Sequence, residues 1–513
     1  MRIPARLGNG HGADPWRRRA RGAVALGMCL LTLSLGTVAA VSPVVPQPPS
    51  VLSPVAATGF YRVARIDGRW WFVDPSGHPV VSVGVNDVTY DGDPIRGTGP
   101  SPYLEAVRRR YADRAAWADA ALSLLRLSAF NTLGAWSDPQ LWTHGMAYTV
   151  MLDFGARAGA DPPRGKPVDV YAPGFEATAR QTAAALELPI ADDPNLLGYF
   201  SDNELWWGTD WRRRETLLAA YLELSAGAPG RTHAVAFLRD RYGGSIARLN
   251  AAWRVAAADF AGVPPSARTR AYRLDAEAFL GRVAARYFAV AAAAIRDVDP
   301  HHLYLGERFQ GLPPFPVLRA ARAADVVSIN LYVRDPRRAV RRVYAATGRP
   351  VLVTEFSFRS LDSGLPNTIG AGPWVFDQRT RGLAYVNYVM NLVSLPEAVG
   401  YHWFRWADEP AQGRADGENS NYGLVTVDDV PYREFLDAVS ATNQAAAAEH
   451  SGLSLRAHLD EQVIRYRWGM RDAAGLLLGG VRWTVTALKA LRLTLRHSSR
   501  YSAGPRPWTG PFP

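Results

Sequence analysis

The sequence predicts an α/β fold built as a (β/α)8 (TIM) barrel, and three observations carry the prediction. Eight short apolar runs recur between residues 80 and 404. They alternate with Ala-, Leu- and Arg-rich stretches of helical character, and polar side chains gather at their carboxyl ends. A strand covered on both faces reads as a continuous apolar run. A charge at its exit points to chemistry, because the carboxyl ends of the strands ring the opening of such a barrel.

Taken in order, residues 1–41 read as a signal peptide. Arg17-Arg18-Arg19-Ala20-Arg21 precedes an apolar stretch from Gly22 to Leu35, and Val38-Ala39-Ala40 supplies the small residues that signal cleavage prefers, so the protein is expected to be secreted or held at the cell envelope. A retained membrane anchor is the alternative, although the apolar stretch is short for a full span. Cys29, the only cysteine, lies in this segment, so the cleaved protein would have neither disulfides nor thiol chemistry. Residues 42–57, rich in Pro, Val and Ser, read as a linker.

From Gly59 the pattern becomes a β-hairpin, Phe60–Ile66 and Arg69–Val73 joined by Asp67-Gly68, with Trp70 and Trp71 expected to plug the barrel floor. The eight barrel strands are then Val80–Val85, Thr132–Trp136, Tyr148–Phe154, Leu196–Ser201, Leu303–Arg308, Val326–Tyr332, Val351–Glu355 and Val399–Phe404. The catalytic domain is assigned to residues 58–450, and the basic tail 451–513 is expected to be poorly ordered, with weak contact to an anionic envelope as its other reading.

The net charge of +11 belongs to the ends: residues 1–40 carry +5 and 452–513 carry +7, leaving about −1 between them. A near-neutral body argues against nucleic-acid binding, which needs cations clustered on the folded domain. Arginine makes up 56 of the 58 basic residues, a compositional bias rather than a binding signal. No metal motif, phosphate loop or dinucleotide fingerprint is present, so neither metal nor cofactor is expected; Asp416-Gly417-Glu418-Asn419 is acidic but lacks the spacing of a calcium loop.

Two runs end in glutamate: Leu196–Ser201 runs on to Asp202-Asn203-Glu204, and Val351-Leu352-Val353-Thr354 to Glu355. Paired carboxylates on either side of a sugar bond are what glycoside hydrolysis requires. Asn203 has an amide suited to a sugar hydroxyl, and partial burial of Glu204 would favour its acid form. Other polar strand-end residues are Asn86, Asp87, Asp138, Asp153, Asn330, Tyr332 and His402; any one alone could be a helix cap. Glu307 competes with Glu355 as the partner of Glu204, though neighbouring Arg308 suits it to a structural ion pair. Trp206, Trp207 and Trp211 are candidate sugar platforms, with burial the commoner fate of tryptophan.

Gly198-Tyr199-Phe200-Ser201-Asp202-Asn203-Glu204, His402-Trp403-Phe404-Arg405-Trp406-Ala407-Asp408-Glu409-Pro410 and Asp416–Gly423 resemble the β-agarases of glycoside hydrolase family 50, within the clan A glycoside hydrolases. The similarity spans residues 58–445. It implies Glu204 as acid/base, Glu355 as nucleophile, Tyr332 as the nucleophile's hydrogen-bond partner and Trp403 as the floor of the reacting subsite. With Asn203, Asn86, His402, Arg405, Trp206 and Trp207 as substrate contacts, the expected protein is an exported retaining β-glycosidase acting on an agarose-type β-galactan. The loop Ala411–Asn421 is expected to fold across the cleft. The alternatives are another clan A glycanase, acting on mannan, β-glucan or β-galactosides, and a carbohydrate-binding envelope protein without turnover.

Overall fold

The computed structural model describes residues 52–452. The signal segment, Cys29, most of the linker and the basic tail, with its possible envelope contact, lie outside the described residues.

The described chain begins with a three-stranded antiparallel sheet: β1 (Arg62–Ile66), β2 (Arg69–Val73) and β3 (Pro79–Val80). Asp67 and Gly68, with φ of 48° and 79°, make the tight turn between β1 and β2, where two positive-φ residues match the twist of the paired strands. Then come β4 (Ser82–Val85), β5 (Thr132–Leu133), β6 (Ala147–Met151), β7 (Leu196–Phe200), β8 (Leu303–Tyr304), β9 (Arg308–Gln310), β10 (Val327–Asn330) and β11 (Val351–Phe356). The last strands are β12 (Arg359–Ser360), β13 (Trp374–Val375) and β14 (Ala398–Trp403). Nine of these form one curled, TIM-barrel-like parallel sheet in the order β8-β7-β6-β5-β4-β14-β11-β10-β9. The two ends of that order, β8 and β9, are consecutive in the chain. Gly306, at φ 81°, lies in the three-residue break between them.

The expected strands are all present, several of them shorter than read, because their last residues turn into loops to aim side chains at the opening. Val80–Val85 is divided, its first residues pairing with the hairpin rather than with the parallel sheet. Helices bridge the parallel strands as the period-3.6 pattern requires, except between β5 and β6, where a 3₁₀ turn, Pro139–His144, serves, and across the three-residue break between β8 and β9. The long β7–β8 crossover holds Leu217–Leu222, Pro229–Arg241, Ile246–Trp253 and Arg270–Val298. Side-chain caps begin many of the helices: Ser101 accepts from the Leu104 N–H, Asp113 from that of Ala116, and Asp377 forms a capping box with Thr380.

Inside the sheet the side chains form layers. Phe72, Leu197, Phe200, Leu303, Leu305, Val326, Leu352 and Val399 make an apolar cluster. The expected floor plug is therefore corrected to Phe72, with Trp70 packed partly against the same cluster. Trp71 points the other way, into the helical layer, and meets the His450 ring at 4.4 Å. Alternation along β2 requires the split. A second buried group is polar: Ser82 Oγ bonds His402 Nε2 at 2.9 Å and Thr132 Oγ1 at 3.0 Å.

Gly84 faces His402 across the β4–β14 pair, and a Cβ there would stand 2.4 Å from the imidazole Cδ2. Gly84→Ala is expected to destabilise the fold by about 1–3 kcal/mol, the usual cost of overpacking, read as a lowered urea midpoint with an unchanged slope.

Candidate active site

Four strand exits share a backbone device. Asp87, Trp136, Asp153 and Glu204, following β4, β5, β6 and β7, all have left-handed backbone, with φ of 60°, 62°, 56° and 51°. That region is costly for any residue with a Cβ, and it turns the side chain out of the strand's alternation. Glu204 is fixed there from both sides. Its N–H donates to the Arg308 carbonyl at 2.9 Å, its own carbonyl accepts from Arg212 at 2.7 Å, and the next N–H, of Leu205, donates to Glu307 Oε1 at 2.8 Å.

The Glu204 carboxylate accepts from the Asn330 amide at 2.9 Å and from the Gln310 amide at 3.1 Å. Glu355 is buried, its Oε1 2.9 Å from an Arg308 terminal nitrogen and its Oε2 2.7 Å from the Tyr332 hydroxyl, which donates. Asn330 stands opposite Glu355 in the β10–β11 register, and its amide bonds Asn203 Oδ1 as well as Glu204. Arg308, fully buried, donates to Asn203 Oδ1 at 2.9 Å, to the Thr354 carbonyl at 3.0 Å and to Asn86 Oδ1 at 3.3 Å. One hydrogen-bonded network thus holds both carboxylates.

Their environments differ. Desolvation first, and the Glu355 charge second, push Glu204 up to about 7 against the opposing pull of Asn330 and Arg308. Burial also raises Glu355, but Arg308 and the Tyr332 hydroxyl oppose it directly. Glu204 is therefore suited to carry a proton near neutrality, and Glu355 is the carboxylate in contact with a cation.

No family model matches the chain. β-Agarase B of Vibrio sp. (strain JT0107) is 27% identical over 463 residues, covering 75% of this chain and 48% of that protein. β-Agarase A of the same strain is 29% identical over 449 residues, covering 74% and 44%. A solved exo-β-agarase superposes with a TM-score of 0.69 at 25% identity, covering 77% of this chain and 66% of that one; a second agarase gives 0.68 at 26%, covering 78% and 66%. The chain is a relative of the β-agarases. It spans about half the length of the curated relatives it matches.

In this β-agarase relative the sequence-derived residues divide sharply. Glu204, Glu355, Asn203 and Tyr332 come together in the network above. Asn86 is fully buried and spent on backbone ties, donating to the Thr354 carbonyl at 2.8 Å and accepting from the Ala135 N–H at 3.0 Å; it braces the site rather than reaching the cleft. His402 is likewise buried below the opening, and burial, with Arg308 adding to it, lowers its pKa to about 3, so it is neutral.

The expected platforms are corrected. Trp403 is fully buried against Phe435 and Tyr385 of the outer helices, its indole donating to the Tyr422 carbonyl at 2.8 Å. The next residue, Phe404, is buried as well, with its ring against Tyr332 and Tyr422. Trp206 and Trp207 are buried too: Trp207 donates to Glu307 Oε2 at 2.9 Å and stacks on Phe288, and Arg213 covers Trp206. Trp211 is exposed, and its indole donates to Gln310 Oε1 at 2.9 Å, one step from Glu204. Arg405 is buried and paired with Asp87 and Asp93, an internal clamp rather than a sugar contact.

Glu307 does not pair with Arg308. Neighbours in an extended chain point to opposite sides, and Glu307 faces Leu205 and Trp207 with its carboxyl pushed well up by burial. The loop 411–421 packs between two others: the Gly413 carbonyl accepts from the Arg96 N–H, and Ser420 Oγ donates to the Ile369 carbonyl at 2.7 Å. Its Arg414 carries Glu409, Asp416 and Glu418, so the acidic stretch is engaged by a cation of its own; no metal-holding cluster occurs among the described residues. Arg308 and Gln310 are the residues the sequence reading left out of the site, and Asn330 was read only as a polar strand-end residue without a role. Alternation past Gly306, which separates Arg308 from Glu307, was the available signal for the first.

Glu355→Gln removes the second-largest cause of the Glu204 shift. A carboxyl relieved of a negative neighbour ionises more easily, so the Glu204 pKa is expected to fall from about 7 toward the ordinary glutamate range, followed by carboxyl-carbon NMR titration. An unmoved value would show that the two groups do not sense each other.

Proposed function

We propose that the protein is an exported retaining β-glycosidase that hydrolyses an agarose-type β-galactan by double displacement. The observation that carries the reading is the shared network: Glu204 on neutral amides and Glu355 on Arg308 and Tyr332, both tied through Asn330 and Asn203. Glu355 attacks the anomeric carbon while Glu204 protonates the departing oxygen; Glu204 then deprotonates the water that releases the glycosyl enzyme. Asn203 is placed to meet a hydroxyl beside the reacting carbon. The scaffold in this reading is a closed (β/α)8 barrel, β8 and β9 being two halves of its fifth strand, bonded to β7 on one side and β10 on the other. The substrate follows from the kinship with β-agarases, and export from the Arg-rich and apolar segment 1–41.

The test is reducing-sugar release from agarose, mannan, β-glucan and β-galactan. Wild type is expected to act on agarose, and Glu355→Gln to lose roughly 10³-fold or more in kcat, the scale of losing a nucleophile. Azide added to Glu355→Gly should give a glycosyl azide of inverted configuration, and added to Glu204→Ala one of retained configuration. The same configuration from both variants would refute the assignment of roles.

The pH profile follows from Glu204. Its acid form is required, so kcat/KM is expected to fall as pH rises through about 7, where the free enzyme's Glu204 loses its proton. The Asn330 amide lowers the Glu204 value, so an alkaline limb that stays at the same pH in an active Asn330→Ala variant would assign it to another group.

A further inference from the structure

Of the four left-handed strand exits, two have side chains already accounted for: Asp87 pairs with Arg405, and Glu204 is one of the two carboxylates. The other two, Trp136 and Asp153, leave adjacent strands β5 and β6, and among the described residues neither side chain makes a hydrogen bond that explains its backbone. A bulky residue at φ 62° is strained, yet the Trp136 indole is not buried in return. It remains 37% exposed, with the Arg308 guanidinium 4.3 Å from its ring centroid. Such an outlier beside a reactive site is a reason to look for a ligand.

Asp153 occupies the N-cap position of the short helix Phe154–Arg157 and makes no capping hydrogen bond. Among the described residues its carboxylate accepts no side-chain hydrogen bond either, although the residue is half-buried. Burial raises its pKa, and Arg157 and Arg308 oppose the rise, which places Asp153 within reach of the charge that holds Glu355. A half-buried acceptor without a donor costs free energy unless a ligand or water supplies one. Indole and carboxylate thus both lie near Arg308.

We propose that Trp136 and Asp153 form a sugar-binding subsite beside the carboxylate pair, the indole stacking on a pyranose ring and the Asp153 carboxylate accepting hydrogen bonds from its hydroxyls. The subsite rests on the glycosidase reading above and deepens it by naming the class of ring it takes: neutral and unsubstituted. A sulfate ester on the hydroxyl facing Asp153 removes the donor and sets like charges together, which is repulsive. Aromatic faces stack on the C–H side of a pyranose, and a hydroxyl bound to a charged acceptor is worth more than one bound to a neutral group.

The experiment is calorimetric binding of a neutral agarose hexasaccharide, and of its sulfated counterpart, to full-length Glu355→Gln protein carrying further substitutions, each checked for folding by circular dichroism. Trp136→Ala is expected to weaken binding of the neutral sugar about tenfold or more, with most of the loss recovered in Trp136→Phe. Asp153→Asn is expected to weaken it about tenfold and to narrow the preference for neutral over sulfated sugar. Folded Trp136→Ala and Asp153→Ala proteins that bind the neutral sugar as tightly as their parent would overturn the subsite, as would Trp136→Phe binding no better than Trp136→Ala. Absence of saturable binding by the folded Glu355→Gln parent would also overturn it. Wild-type turnover, assayed in parallel, separates the two readings. If turnover is absent while binding still depends on Trp136, the hydrolytic reading fails and the subsite stands; if turnover is present while binding is indifferent to Trp136, the reverse holds.

Discussion

The structure around the opening depends on one buried cation. Arg308 has no exposed surface, and a guanidinium in that position must be matched by acceptors and by an opposite charge or the fold bears a penalty of several kcal/mol. Asn203 after β7, Asn86 after β4, and Thr354 and Glu355 on β11 supply the match, and Trp136 after β5 covers the face of the fork. A guanidinium is planar and rigid, so these acceptors have to be correctly placed together. The strand ends are therefore held in register with one another by a single side chain. The same side chain opposes the burial that would otherwise favour protonation of Glu355. Stability and chemistry are coupled at this point, and loss of the arginine would leave a buried carboxylate without its cation.

The left-handed exits make the second constraint. A side chain on a parallel strand faces either the interior or the helices, and only the last interior-facing positions, such as Asn330 on β10 and Glu355 on β11, reach the site. Turning the last residue into left-handed backbone releases it from the alternation, at a cost that the barrel's packing and hydrogen bonds must offset. Glu204 has the clearest offset: Arg308, Arg212 and Glu307 hold the peptide groups on both sides of it. This gives buried Glu307 a structural role. It is an acidic side chain kept for the two N–H donors of the loop that carries Glu204, those of Leu205 and Trp207.

The sequence made the architecture legible because buried parallel strands are continuous apolar runs, and it made Glu204 and Glu355 legible because a carboxylate at the end of such a run has few structural excuses. Tyr332 was legible through the motif it sits in. What stayed hidden was direction. Trp206, Trp207 and Trp403 were read as platforms because tryptophan is chemically suited to that work, but in the fold they are buried, whereas Trp136 stays exposed beside Arg308. Adjacent Glu307 and Arg308 looked like a pair, and extended backbone sends them to opposite sides. Asn86, His402 and Arg405 lie at strand ends as read, yet one layer too deep to meet a substrate. Exposure at a barrel mouth is set by single φ angles and by strand alternation after a break, and residue types do not encode either.

Two glutamates on the same kind of strand end acquire different properties through what reaches them across the barrel. Both are pushed toward the acid form by burial. Glu204 accepts hydrogen bonds from the neutral amides of Asn330 and Gln310, which stabilise an anion weakly; Arg308 and Arg212 oppose its rise without a hydrogen bond to the carboxylate, and it also feels the Glu355 charge. Glu355 meets a full positive charge and a phenolic donor at hydrogen-bonding distance. One carboxyl is thus biased to hold a proton near neutrality while the other is biased to release it, which is the asymmetry that a proton donor and a nucleophile require of a pair. The coupling is mutual: ionised Glu355 keeps Glu204 protonated, and a glycosyl group bonded to Glu355 would remove that charge. Glu204 would then lower its pKa at the stage where its proton has been given away and it must serve as a base. The order of events in the double displacement proposed above would in this way be supported by the coupling between these two groups.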